Sequence, residues 1–190
     1  MKKNGGFTLV EILMTVVIFL VLLVVTFPAV VNSLKQREIV TSTNLFLDAV
    51  EFARVQAASR NRAYQMVVQL NAGAEGTNGT IRLNEGPTSA CLNFGAGLAD
   101  VRVVDFSVET PNIFIIGSTP EDLVLSSLCF KPDGRVLRVD TQMPVASPDA
   151  QYEAGEAIYS LQRRTMDGKT DPIIHGIVIP YNGVPRVAYR

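Results

Sequence analysis

The sequence predicts an α+β chain in which one long N-terminal helix, of membrane length in its first half, precedes an antiparallel β-rich head. Three observations carry this reading: an uncharged apolar run over residues 12–31, an apolar stripe at helical spacing behind it, and a switch to alternating apolar and polar residues after Arg62. A length of 190 residues suits one globular domain beside an anchor and makes two full domains a poor fit. Hydrophobic residues at 47% and a net charge of -1 set the chain apart from disordered and strongly basic proteins, so the charge balance does not call for a polyanionic partner.

The helix comes first. Only Thr15, Thr26 and Pro28 interrupt the apolar character of residues 12–31. Twenty helical residues rise about 30 Å, the thickness of a bilayer's hydrocarbon core. Lys2 and Lys3 stand before the run, which places the N-terminus in the cytoplasm and the head across the membrane. A secretory cleavage site would follow the apolar run behind small residues, and Phe27-Pro28-Ala29-Val30-Val31-Asn32-Ser33 matches that pattern poorly. Pro28 lacks an N–H and is expected to interrupt and kink the helix.

The residues before the run are more specific. Lys2-Lys3-Asn4-Gly5-Gly6-Phe7-Thr8-Leu9-Val10-Glu11 resembles the prepilin peptidase site of type IV pilins and type II secretion pseudopilins. The resemblance implies removal of a leader, residues 1–6, by cleavage after Gly6, and methylation of the new N-terminus at Phe7. It also implies the pilin fold: a helix over 7–62, with 7–33 in the membrane or filament core, and a head over 63–190. Glu11 fits that picture physically. A charged side chain at mid-membrane costs about 2.5–3.5 kcal/mol on insertion scales, so it calls for a partner. The family supplies one for assembly: the freed amino group of Phe7 on a neighbouring subunit.

Beyond the membrane segment, Ile39, Phe46, Val50, Ala53 and Ala57 form one apolar stripe, with Arg37, Asn44, Asp48, Glu51 and Arg62 on the other side. Neither Gly nor Pro occurs over residues 29–72, so nothing local stops the helix before Arg62. Leu45, Phe46 and Phe52 read as head core. Then Tyr64, Met66, Val68 and Leu70 alternate with polar neighbours, as do Ile81 and Leu83. Further strands are expected over 101–106, 113–117, 128–131, 135–139, 157–163, 176–180 and 186–189. Asp133-Gly134 and Asn182-Gly183 signal hairpin turns in which both central residues take positive φ. Residues 141–155, with Pro144 and Pro148, read as loop. Laying the long helix across one or two antiparallel sheets buries both apolar faces. Cys91 and Cys129, both in the exported part, read as one disulfide closing a loop of about 38 residues, the alternative being two buried thiols.

Two head segments carry a second, looser resemblance. The stretch from Ala53-Arg54 to Asn61-Arg62, and Leu128-Cys129-Phe130-Lys131-Pro132-Asp133-Gly134-Arg135, look like the GspH/FimT-type domain of FimU/FimT-like minor pilins. Three functions follow as expectations of these resemblances. The first is a minor pilin that primes or caps a type IV pilus, the second a pseudopilin H-like subunit of a type II secretion system. The third is a DNA-binding minor pilin, with contacts at Arg186 and Arg190 in a tail that lacks the family's Gly-Arg-x-Arg spacing. The implied partners are other minor pilins and the major pilin (or pseudopilins), the prepilin peptidase, an inner-membrane assembly platform, membrane lipid before assembly and, in the third case, DNA. The implied location is the inner membrane, single-pass, with a periplasmic head.

Catalysis finds little to work with. His175 is the single histidine, and neither G-x-S-x-G nor H-E-x-x-H is present. His175 is expected as a strand-edge residue with a satisfied side chain. Gly95-Ala96-Gly97-Leu98-Ala99-Asp100 lacks a phosphate loop's last glycine and reads as a loop. Asp167-Gly168-Lys169-Thr170-Asp171 lacks oxygen ligands at alternate positions and reads as a turn rather than a calcium site. Asn78-Gly79-Thr80 reads as a hairpin tip. No catalytic residue, metal ligand or cofactor is expected.

Overall fold

The structure is a computed structural model that describes residues 9–70, 78–91, 94, 99–117, 125–139, 153–154, 156–164 and 170–189. Its first element, α1 (Leu9–Arg60), is continuous over 52 residues and passes through Pro28 as helix, so the expected interruption is absent. Pro28 has no N–H to offer the carbonyl of Val24, and helix continues on both sides of that missing bond. The polar interruptions of the apolar run are satisfied within the helix. Thr15 Oγ1 donates to the Ile12 carbonyl at 2.8 Å, and Thr26 Oγ1 to the Leu22 carbonyl at 2.9 Å. At its C-terminus the helix stops where Asn61 takes the left-handed conformation (φ 52°) and Arg62 N–H reaches back to the Ala57 carbonyl at 3.3 Å. Asparagine tolerates that conformation, which frees the chain to turn into the first strand.

The chain divides into two compact units, Met1–Arg37 and Glu38–Arg190. In the first, the described part of α1 is exposed along nearly its whole length. In the second, the apolar stripe read from the sequence is the core stripe, with Ile39, Phe46, Val50, Ala53 and Ala57 all buried.

The head holds two antiparallel sheets. The larger has the order β3-β2-β1-β5-β6-β7, from β1 (Tyr64–Gln69), β2 (Thr80–Glu85), β3 (Asp100–Asp105), β5 (Leu125–Phe130), β6 (Val136–Val139) and β7 (Glu153–Ala154). The smaller has the order β10-β9-β8-β4, from β4 (Ile113–Gly117), β8 (Ala157–Arg164), β9 (Thr170–Ile179) and β10 (Arg186–Tyr189). Register follows the alternation: Met66 faces Leu83 and Leu128, Val68 faces Ile81, and all five apolar residues lie in the core. Residues from α1 and from both sheets join in one cluster, with Phe46 of α1 tilted against Tyr159 of β8 at 5.1 Å between ring centroids.

Four local expectations need correction. The strand expected over 101–106 ends at Asp105, whose side chain caps a one-turn helix, α2 (Phe106–Glu109), by accepting from Ser107 N–H at 2.9 Å. Residues 153–154, expected as loop, form β7 on the edge of β6. The strand expected over 176–180 begins six residues earlier, at Thr170; its register shifts against β8 between Gln162 and Arg164, where an irregular ladder accommodates Pro172. In the two hairpin turns only the glycines take positive φ, Gly134 at 84° and Gly183 at 73°. These loops are longer than two residues, and in longer hairpin loops one left-handed glycine suffices.

The disulfide reading holds: Cys91 is bonded to Cys129 of β5. With Ala63, Phe94 and Leu137 it makes a second small apolar cluster, so the segment before β3 is held against the larger sheet on the side away from α1.

Candidate functional site

The N-terminal half of α1 is the chain's most unusual surface. Leu9, Val10, Ile12, Leu13, Met14 and the apolar residues that follow through Val30 are each at least 45% exposed. A soluble helix hides one apolar stripe; this one displays apolar side chains on every side, which water disfavours and lipid or other apolar helices favour. It is long and apolar enough to cross a membrane. Glu11 stands on its exposed surface in the first turn, where a carboxylate also complements the positive helix end. Gly6, Phe7 and Arg190 lie outside the described residues, as do residues 95–98 and 167–169 of the two loop expectations.

At the start of the head, α1 is tied to the smaller sheet by polar contacts that the sequence did not announce. Glu38 accepts from Arg163 Nε of β8 at 3.0 Å and from Asn112 Nδ2 at 2.7 Å. One turn on, Thr43 Oγ1 donates to the Ile39 carbonyl at 2.8 Å and lies 2.9 Å from His175 Nδ1. The Thr43 hydroxyl and His175 Nδ1 thus share a buried hydrogen bond whose donor is set by the imidazole tautomer. His175 is therefore structural, but not on an edge strand: β9 lies between β10 and β8, with His175 facing Tyr189 and Leu161. Burial pushes its pKa below the ordinary value of 6.5. Spacing alone could not pair residues this far apart in sequence.

A second tie closes the far end of α1. Glu85 accepts from Tyr64 Oη at 2.7 Å and Arg60 Nη1 at 2.6 Å, with Arg62 Nη1 at 3.3 Å. Burial, with the hydrogen bond to Glu85, pushes the Tyr64 phenol up to about 12, while the Tyr64 hydroxyl and the arginines hold the Glu85 carboxyl below the usual range. The two hairpin turns also meet. Val136 N–H donates to the Tyr181 carbonyl at 2.9 Å, and Arg135 reaches both Asp133 and Tyr181 Oη. Asp133 is lowered to about 2 by its hydrogen bonds from Arg135.

Among the described residues no group of three or more His, Cys, Asp or Glu side chains is placed to hold a metal ion. Among the described residues, Arg163 turns to Glu38, Arg164 stacks over Phe114 at 5.3 Å, and Arg186 is exposed on β10.

Residues 1–27 match the family model described as the prokaryotic N-terminal methylation motif. That motif runs into the long apolar helix, which leads to a head of antiparallel sheets. Among solved structures the chain is similar to the type IV minor pilin FimU of Pseudomonas aeruginosa (strain PAO1) in two crystal forms. One shows 15% identity and a TM-score of 0.47, covering 82% of this chain and 90% of FimU. The other shows 17% identity and a TM-score of 0.44, covering 79% and 90%. No curated protein sequence matches the chain.

Proposed function

We propose that the chain is a minor type IV pilin, a filament subunit that primes or caps pilus assembly and carries no enzymatic activity. The observation that carries the proposal is the methylation motif running directly into a helix whose apolar side chains are exposed all round. In this reading prepilin peptidase cuts after Gly6, Phe7 is methylated, and the segment waits in the inner membrane with its N-terminus cytoplasmic and its head periplasmic. An assembly platform then moves it from lipid into a bundle of like helices formed by the major pilin and other minor pilins. Both environments are apolar, so the transfer leaves the hydrophobic term nearly unchanged, and packing and ion pairing decide the equilibrium. Glu11 meets the freed amine of the neighbouring Phe7 in that bundle.

Two measurements test this. Glu11→Ala is expected to leave membrane insertion intact and to lower incorporation into sheared filaments at least tenfold, read by immunoblot; undiminished incorporation removes the assembly role. Deleting the gene is expected to reduce pilus number and twitching. Normal pili with secreted proteins trapped in the periplasm would assign the chain to type II secretion instead.

A further inference from the structure

The smaller sheet has one face on α1 and the other turned outwards. On the inward side Tyr159, Leu161, Ile177 and Ile179 are buried in the core. The outward side includes two cross-strand rows, Ile158–Val178–Arg186 and Ile116–Ser160–Gly176–Ala188. A one-sided antiparallel sheet places polar residues on the outer face, as β2 of the larger sheet does with Thr80, Arg82 and Asn84. Here the seven positions of these two rows hold aliphatic or small residues, one serine and a single charge. Ile158 is 41% exposed, Ala188 and Arg186 are exposed, and a side chain added at Gly176 would meet only Ala188, at 3.4 Å or more. β9 is thus built like a strand covered on both sides, with water on one of them.

We infer that this outer face is the docking surface for the head of a different pilin subunit, which meets it with an apolar patch and a carboxylate placed against Arg186. The inference rests on the filament reading above. Charge selects the occupant. Among the described residues Arg164, over Phe114 on the same sheet, is a second cation of this region, and the two rows contain no carboxylate. A second copy packed about a two-fold axis would set Arg186 against Arg186, a repulsive arrangement. Nucleic acid needs clustered cations along a phosphate track, and among the described residues these rows offer an aliphatic centre with Arg186 alone. An apolar centre with a charge at its margin is the anatomy of a protein–protein contact.

The test uses the full chain in cells that assemble it, with the photo-crosslinking residue p-benzoylphenylalanine at Ile158. Irradiation is expected to give one adduct with a different protein bearing a prepilin motif, identified by mass spectrometry. Arg186→Glu is expected to lower adduct yield tenfold or more at unchanged chain level, and replacing the partner's carboxylate by arginine to restore it. If Arg186→Glu lowers the chain level, Arg186→Gln is scored in its place. No adduct, an adduct only with its own copies or with nucleic acid, or a yield indifferent to residue 186 overturns the inference. Leader removal and filament incorporation are measured in the same cells. Loss of the adduct with both intact removes this docking alone, whereas loss of processing or incorporation removes the filament reading and the docking with it.

Discussion

Gly183 shows how much a single residue holds in this head. Its φ of 73° is unfavourable for any side chain, and a Cβ there would lie 2.8 Å from the Gly134 carbonyl oxygen in the facing turn. Gly183→Ala is expected to destabilise the protein by about 1–3 kcal/mol, read as a lower urea midpoint by circular dichroism. His175 sets a second expectation at this scale. It is neutral in the fold, and burial depresses its pKa below 6.5, so the unfolded chain binds more protons as the pH falls through 6.5. Stability is therefore full above pH 6.5 and declines below it until the depressed folded pKa is passed. Denaturant titrations between pH 7.5 and 5 should show that slope, and His175→Gln should flatten it. The reading of His175 as a residue with a satisfied side chain needed only its isolation in sequence. Its partner Thr43 required the fold, because 132 residues separate the two.

At the scale of elements, α1 changes its solvent partway along. Before Glu38 its apolar residues point in all directions; after it Ile39, Phe46, Val50, Ala53 and Ala57 lie in a buried stripe that shares its core with both sheets. That change was legible in the sequence, since an all-round apolar run and a stripe at intervals of three and four are different patterns. The strands were legible where one face is buried, and less so in β9, which is apolar on both sides. The two-residue β7 and one-turn α2 escaped because ladder pairing with β6 and a cap from Asp105 decide them, not periodicity. The disulfide also acts at this scale. It closes a separation of 38 residues and holds its segment on the larger sheet. Replacing Cys91 and Cys129 together by alanine is expected to cost about 2–4 kcal/mol, measured as a lower thermal midpoint, with faster amide exchange over residues 86–94. An unchanged midpoint would mean that the clusters around Phe94 suffice without the covalent link.

On the whole-molecule scale, the described core belongs entirely to the second unit, beginning at Ile39. A chain starting at Glu38 is accordingly expected to be soluble and to melt cooperatively within a few degrees of the full protein in detergent, checked by calorimetry. Failure to fold would show that the apolar segment contributes to the head. Composition and order were enough to read a membrane-length apolar helix, an N-terminal methylation motif and a β-rich head, because apolar character and alternation are local properties of consecutive residues. Which outer sheet face is left apolar, how the hairpin turns interlock, and where Glu38, Thr43, Tyr64 and Arg163 find their partners were settled by strand order and register. Those contacts join residues tens of positions apart, and only a closed three-dimensional chain brings them within a hydrogen bond's reach.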